Sequence, residues 1–137
     1  MIVIDTHVLI WAVHGDARLG AKARAVIEET ARDDRVLVSA ITPWEIAMLL
    51  QKGRLSLGRE VGAWIAEALD LPGIQLAPIE PAIAVDSVRL PEPLHADPAD
   101  RFIIATARHA NAPLMTADQA ILTYAAAGHV SAINAAE

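Results

Sequence analysis

Short apolar runs alternate along the chain with stretches whose apolar residues recur every three or four positions. Ile2-Val3-Ile4, Arg35 to Ser39, Ile74 to Ala77 and Leu114-Met115-Thr116 are continuous enough to predict strands buried on both faces. A weaker fifth strand is expected over Val130 to Ile133. Between them the helical period predicts helices over Thr6 to Val13, Ala21 to Ala31, the segment ending at Gly53, Arg59 to Leu69, and Pro81 to Arg89.

Two helix starts are marked by capping chemistry. Thr42-Pro43-Trp44-Glu45 offers an N-cap, a proline suited to the first helical position, and a glutamate that would complete a capping box. Asp97-Pro98-Ala99-Asp100 repeats that signal and opens a helix reaching about Ala110, which Asn111-Ala112-Pro113 ends. Asp118 can cap a short last helix at Gln119. Strands alternating with helices imply a central, mostly parallel sheet in a three-layer α/β/α sandwich. With no repeat or linker, residues 1–137 are expected to form a single domain.

Composition narrows the classes. Cysteine is absent, so disulfides and thiolate metal sites are excluded. The opening residues lack a basic segment, and the longest uncharged stretch, Gln119 to Ala136, is too broken by polar residues for a membrane span. A cytoplasmic location is expected. Net charge is −6, from 17 acids against 11 bases, which disfavours simple binding of nucleic acid by phosphate neutralisation. No dinucleotide fingerprint follows the first strand. The five histidines show no i,i+4 pair and read as surface or supporting groups.

The carboxyl edge of a parallel sheet is where such folds bind ligands. Asp5, Glu45, Asp100 and Asp118 all fall there, although separated by 40, 55 and 18 residues. Glu45, Asp100 and Asp118 can each be explained by helix capping. Asp5 is harder to explain, because a carboxylate closing a buried apolar strand needs a partner. Two carboxylates about 5 Å apart repel by roughly 3 kcal/mol at an effective dielectric of about 20. Four converging groups make six pairs, an upper bound of roughly 20 kcal/mol against a usual net stability of about 5–15 kcal/mol. They must protonate or hold cations. Hard oxygen donors favour Mg²⁺ or Mn²⁺, which would suit phosphoryl chemistry.

At these residues the chain resembles the PIN-domain ribonucleases, specifically the VapC-type toxins of bacterial toxin–antitoxin pairs. The matching segments are Ile-Val-Ile-Asp5-Thr6-His7, Ser39 to Ala47, Asp97 to Ala107, and Leu114-Met115-Thr116-Ala117-Asp118, in order over nearly the whole chain. The resemblance implies Mg²⁺- or Mn²⁺-dependent endoribonuclease activity. It carries the catalytic and metal-binding acids onto Asp5, Glu45, Asp100 and Asp118. Thr6 and Thr116 fall where such enzymes place supporting hydroxyls, and Asp97 matches a pattern in a subset of them, as metal ligand or as helix cap. Where many relatives carry a lysine soon after the Glu-Ile-Ala motif, this chain has Met48-Leu49-Leu50-Gln51 before Lys52. The alternatives are a catalytically inactive protein-binding module on the same fold, and a metal-dependent phosphohydrolase acting on another substrate.

Two further expectations concern contacts. Arg101, directly after a candidate acid, is a candidate phosphate contact, or else an ion-pair partner orienting Asp97 or Asp100. A mean hydropathy of +0.36 is high for a domain of this size. The apolar excess predicts a homodimer and an apolar groove near Trp11 and Trp44 that accepts an amphipathic antitoxin (VapB-like) segment. RNA would be the substrate, and no membrane partner is expected.

Overall fold

The computed structural model describes residues 1–137. β1 (Ile2–Ile4) is buried at all three positions and leads straight into α1 (Thr6–His14). α2 (Ala21–Asp33) precedes β2 (Val36–Ser39), whose four residues are again all buried. Then come α3 (Ile41–Gln51), α4 (Val61–Leu69) and β3 (Ile74–Ala77). α5 (Pro81–Arg89) and α6 (Pro98–Ala110) lead to β4 (Leu114–Thr116), followed by α7 (Gln119–Ala126) and β5 (Ala132–Asn134).

The sheet order is β3-β2-β1-β4-β5, and every neighbouring pair is parallel. Strand alternation divides the core in two. Ile2, Ile4, Val36, Val38 and Met115 pack beneath Val8, Leu9, Ile27, Ile46 and Trp64. Val3, Leu37 and Leu114 meet Ile103, Ile104, Ile121 and Tyr124 on the opposite face. Helices therefore cover both faces, as an all-parallel sheet requires. No helix is long and apolar enough to cross a membrane.

Two local expectations are corrected. The fifth strand lies at Ala132–Asn134 rather than Val130–Ile133, because Val130 is drawn into the second core while Leu114, Met115 and Thr116 pair with Ala132, Ile133 and Asn134. The capping box at Thr42 does not form. α3 starts at Ile41, whose N–H donates to Ser39 Oγ at 3.2 Å, and the Thr42 hydroxyl instead lies 2.9 Å from Thr6 Oγ1 in a buried pair. The strand end supplies the cap one turn early, so Glu45 carries no capping duty.

The chain winds from β1 through β2 to β3 on one side, then crosses to place β4 on the other side of β1. That reversal opens a crevice at the carboxyl ends of β1 and β4.

Candidate metal centre

Asp5 ends β1 inside this crevice. Its backbone N–H donates to Met115 O at 3.0 Å, tying the β1 end to β4. Its carboxylate accepts from the Thr6 N–H at 2.8 Å, as the N-cap of α1, and from the Thr116 hydroxyl at 2.6 Å. Those bonds are the partners that a carboxylate only 6% exposed needs. Burial pushes the Asp5 carboxyl up, the two hydrogen bonds and nearby His7 pull it down, and the charge of Asp118 raises it again.

Glu45 reaches the same crevice from the first turns of α3 and is also 6% exposed. Its Oε1 is buried and has no hydrogen-bond partner. Burial raises its carboxyl; the Thr6 hydroxyl beside it opposes the rise, and the charges of Asp5 and Asp97 add to it. An orphaned, buried carboxylate oxygen is costly in a finished fold.

Asp97 and Asp100 arrive on the first turn of α6. Asp97 is the N-cap, its Oδ1 accepting from the Asp100 N–H at 2.9 Å, which leaves Oδ2 available. Glu45, Asp97 and Asp100 can each offer an oxygen such that the three lie within 4.8 Å of one another. Asp100 is pushed up to about 8, by burial first and then by the charges of Asp5, Asp97, Glu45 and Asp118. Asp118 caps α7, accepting from the Ile121 N–H at 3.2 Å, while its own N–H donates to Thr116 Oγ1 at 3.0 Å. Thr116 therefore holds two of the acids at once.

Asp5, Glu45, Asp97, Asp100 and Asp118 line one recess of about 270 Å³, completed by His7, Trp11 and Ala117, with no lysine or arginine in its wall. All five acids are brought together; Asp5 and Asp118 flank the tighter trio. The donor set is oxygen from carboxylates, which fits Mg²⁺ or Mn²⁺, and the unpartnered Glu45 oxygen fits a cation in this place.

Arg101 does not line the recess. Its guanidinium donates to Ser87 O (3.4 Å), Leu94 O (3.1 Å) and Glu92 Oε1 (3.3 Å), and it lines a different surface with Val88 and Phe102. Its three partners lie outside the recess, and neither Asp97 nor Asp100 is paired with it. Its acceptors are a carbonyl near the end of α5, a loop carbonyl and a loop carboxylate.

The expected apolar groove at Trp11 and Trp44 is also displaced. Trp44 is 55% exposed, whereas Trp11 lines the acidic recess. The largely apolar groove runs instead along Leu9, Val13, Ile27, Ala31 and Leu71. The i,i+4 spacing of His7 and Trp11 on a helix capped by Asp5 was the available signal that both would face the recess.

Comparisons with known proteins bear on the family and the fold. The PIN domain family matches residues 2–127. Ribonuclease VapC22 of Mycobacterium tuberculosis is 31% identical over 123 residues, 90% of this chain and 91% of that protein. Among solved structures, VapBC2 from Rickettsia felis, bound to a promoter DNA fragment, superposes with a TM-score of 0.72 at 16% identity, covering 98% of each chain. FitAcB from Neisseria gonorrhoeae gives 0.65 at 23% identity, over 98% of this chain and 97% of that one. At those identities the two structures speak for the fold.

Proposed function

This chain belongs to the PIN-domain family, and from that premise we propose that it is a metal-dependent endoribonuclease acting as the toxin of a toxin–antitoxin pair, with residues 1–137 as its nuclease domain. The observation that carries the reading is the buried, partnerless Oε1 of Glu45, set among carboxylate oxygens that otherwise only repel one another.

Glu45, Asp97 and Asp100 are the trio that would hold Mg²⁺ or Mn²⁺, with Asp5 and Asp118 as flanking acids that are both catalytic and metal-binding. A bound divalent ion supplies hydroxide from water at neutral pH and neutralises charge on the phosphodiester and the departing oxygen. Thr116 and the Thr6 N–H keep Asp5 fixed and available as a carboxylate. The Ile121 N–H does the same for Asp118. In the hydrolysis, water oxygen bonds to phosphorus, the bond to the leaving oxygen breaks, and that oxygen takes up a proton.

The relatives' names support the remaining partners: the ribonuclease supports RNA as substrate, and the VapBC structure supports an antitoxin protein. Exposed Val85 and Val88 on α5 support a homodimer through that helix. The test is direct. Purified protein incubated with mixed RNA should cut it with Mg²⁺ or Mn²⁺ and not with EDTA, and Asp100→Asn should be inert. Cleavage that persists in EDTA or in that variant refutes the metal-dependent reading.

A further inference from the structure

Trp11 and Ala117 are the only apolar residues in the wall of an otherwise anionic recess. Trp64 is buried and donates its indole N–H to His14 Nε2 at 3.2 Å. No such bond holds Trp11, which is half-buried. Trp11 packs against the core beneath α1 and also lines the recess of five carboxylates.

The chain builds a support for that ring. α1 ends at Gly15, whose φ of 63° lets the backbone turn back. The Asp16 N–H then bonds Trp11 O at 2.9 Å. Asp16 accepts from the Arg18 N–H at 2.9 Å and pairs with the guanidinium, Nη2 to Oδ2 at 2.7 Å. The result sets Arg18 Cζ 5.1 Å from the Trp11 ring centroid, within cation–π range. Arg18 is itself largely exposed, so the pairing does not serve to bury a charge. His7 stands on the other side of the helical turn, its ring 6.2 Å from that of Trp11 and tilted by 54°.

We propose that Trp11, backed by Arg18, is the stacking platform for one unpaired base of the RNA beside the phosphate to be cut. The proposal rests on the nuclease reading above and adds the element that grips the nucleotide. Aromatic stacking is sequence-tolerant and needs a base free of its duplex. Arg18, set over the Trp11 ring, contributes a cation beside a recess that would otherwise repel the strand.

The experiment combines cleavage kinetics on a short single-stranded RNA with indole fluorescence, using Ca²⁺ in place of Mg²⁺ to hold the RNA uncut. Trp11→Leu should raise KM about tenfold with little change in kcat, Trp11→Phe should restore most of it, and Arg18→Gln should raise KM less. RNA should quench the wild-type indole emission, and Trp11→Phe, which keeps the stack and loses the indole, should remove most of that quenching. The same sequence as a duplex should neither quench nor be cut efficiently. If Trp11→Leu loses its fold, the Trp11→Phe pair of readouts decides. Unchanged KM in Trp11→Leu, or undiminished quenching in Trp11→Phe, overturns the platform while metal-dependent cleavage stands. A Trp11→Leu chain that binds RNA normally but no longer forms a complex with its antitoxin overturns it in favour of a protein-docking surface. Absence of any metal-dependent cleavage by the unaltered chain sinks the nuclease reading, and the platform with it.

Discussion

The Thr116 hydroxyl donates to Asp5 Oδ2 at 2.6 Å across 111 residues of chain, and the same oxygen accepts the Asp118 N–H at 3.0 Å. One side chain thus orients two acids on adjacent strand ends. Thr116→Val keeps the shape and deletes both bonds. Asp5 then loses a donor that favours its ionised form, and its carboxyl rises further. Cleavage should fall about 10- to 100-fold, the range for lost support around a metal ligand, and half-maximal activity should need more Mn²⁺. Thr116→Ser should recover most of the rate. A Thr116→Val chain with wild-type kinetics would show that Asp5 needs no such support.

Asp100, raised to about 8, predicts a definite pH response without metal. Between the unfolded value near 3.8 and about 8, the folded chain holds a proton that the unfolded chain has released. Stability is therefore full below the lower value and is lost as pH rises towards the upper one. Asp100→Asn removes this loss. Because Asp100 is partly exposed, solvent screening trims the gain to about 1–2 kcal/mol at pH 8, a few degrees in Tm. Thermal melts in EDTA at pH 5 and pH 8 should show wild type falling more steeply than Asp100→Asn, which keeps the loss due to the raised Asp5 and Glu45 carboxyls. Parallel curves for the two proteins would contradict the crowded-acid picture.

The sequence disclosed the layers and the acids because both depend on strong, local signals. β1, β2 and β4 are buried on both faces, so their apolar runs are unbroken, and the acids follow directly at the strand ends. Edge strand β5 has only half-buried residues and no such run, so its register came from pairing with β4. The Thr42 capping signal lost to Ser39, a competitor already placed by β2. Arg101 and Trp11 share a cause: their partners, Leu94 O in one case and Asp16 with Arg18 in the other, are set by loops whose path no periodicity encodes.

Divalent metal should stabilise the folded chain through the trio at Glu45, Asp97 and Asp100. At about 100 times the dissociation constant the linkage is worth about 2.7 kcal/mol, several degrees in a chain of this length. Glu45→Gln removes one charge from a buried position that already lacks a partner, so in EDTA it should melt no lower than wild type. Its Mn²⁺-induced shift should nevertheless largely vanish. Calorimetry with and without Mn²⁺ reads both halves, and a full shift in Glu45→Gln would remove that residue from the ligand set.

Arg101 should prove structural. Its guanidinium, about a quarter exposed, fastens the carbonyls of Ser87 and Leu94 and the carboxylate of Glu92, so it pins α5 and the loop that delivers Asp97 to the head of α6. Arg101→Ala leaves those carbonyls to water or to nothing, at about 1–3 kcal/mol. Tm should drop by several degrees, and the site should loosen through Asp97 rather than through lost attraction for the strand. The two causes separate in the salt dependence of RNA binding. A phosphate contact contributes to the slope of log affinity against log salt, and its removal flattens that line. For Arg101→Ala the line should shift down without changing slope, whereas Arg18→Gln should flatten it. A flattened slope in Arg101→Ala, with Tm unchanged, would return the arginine to the substrate side despite its three partners.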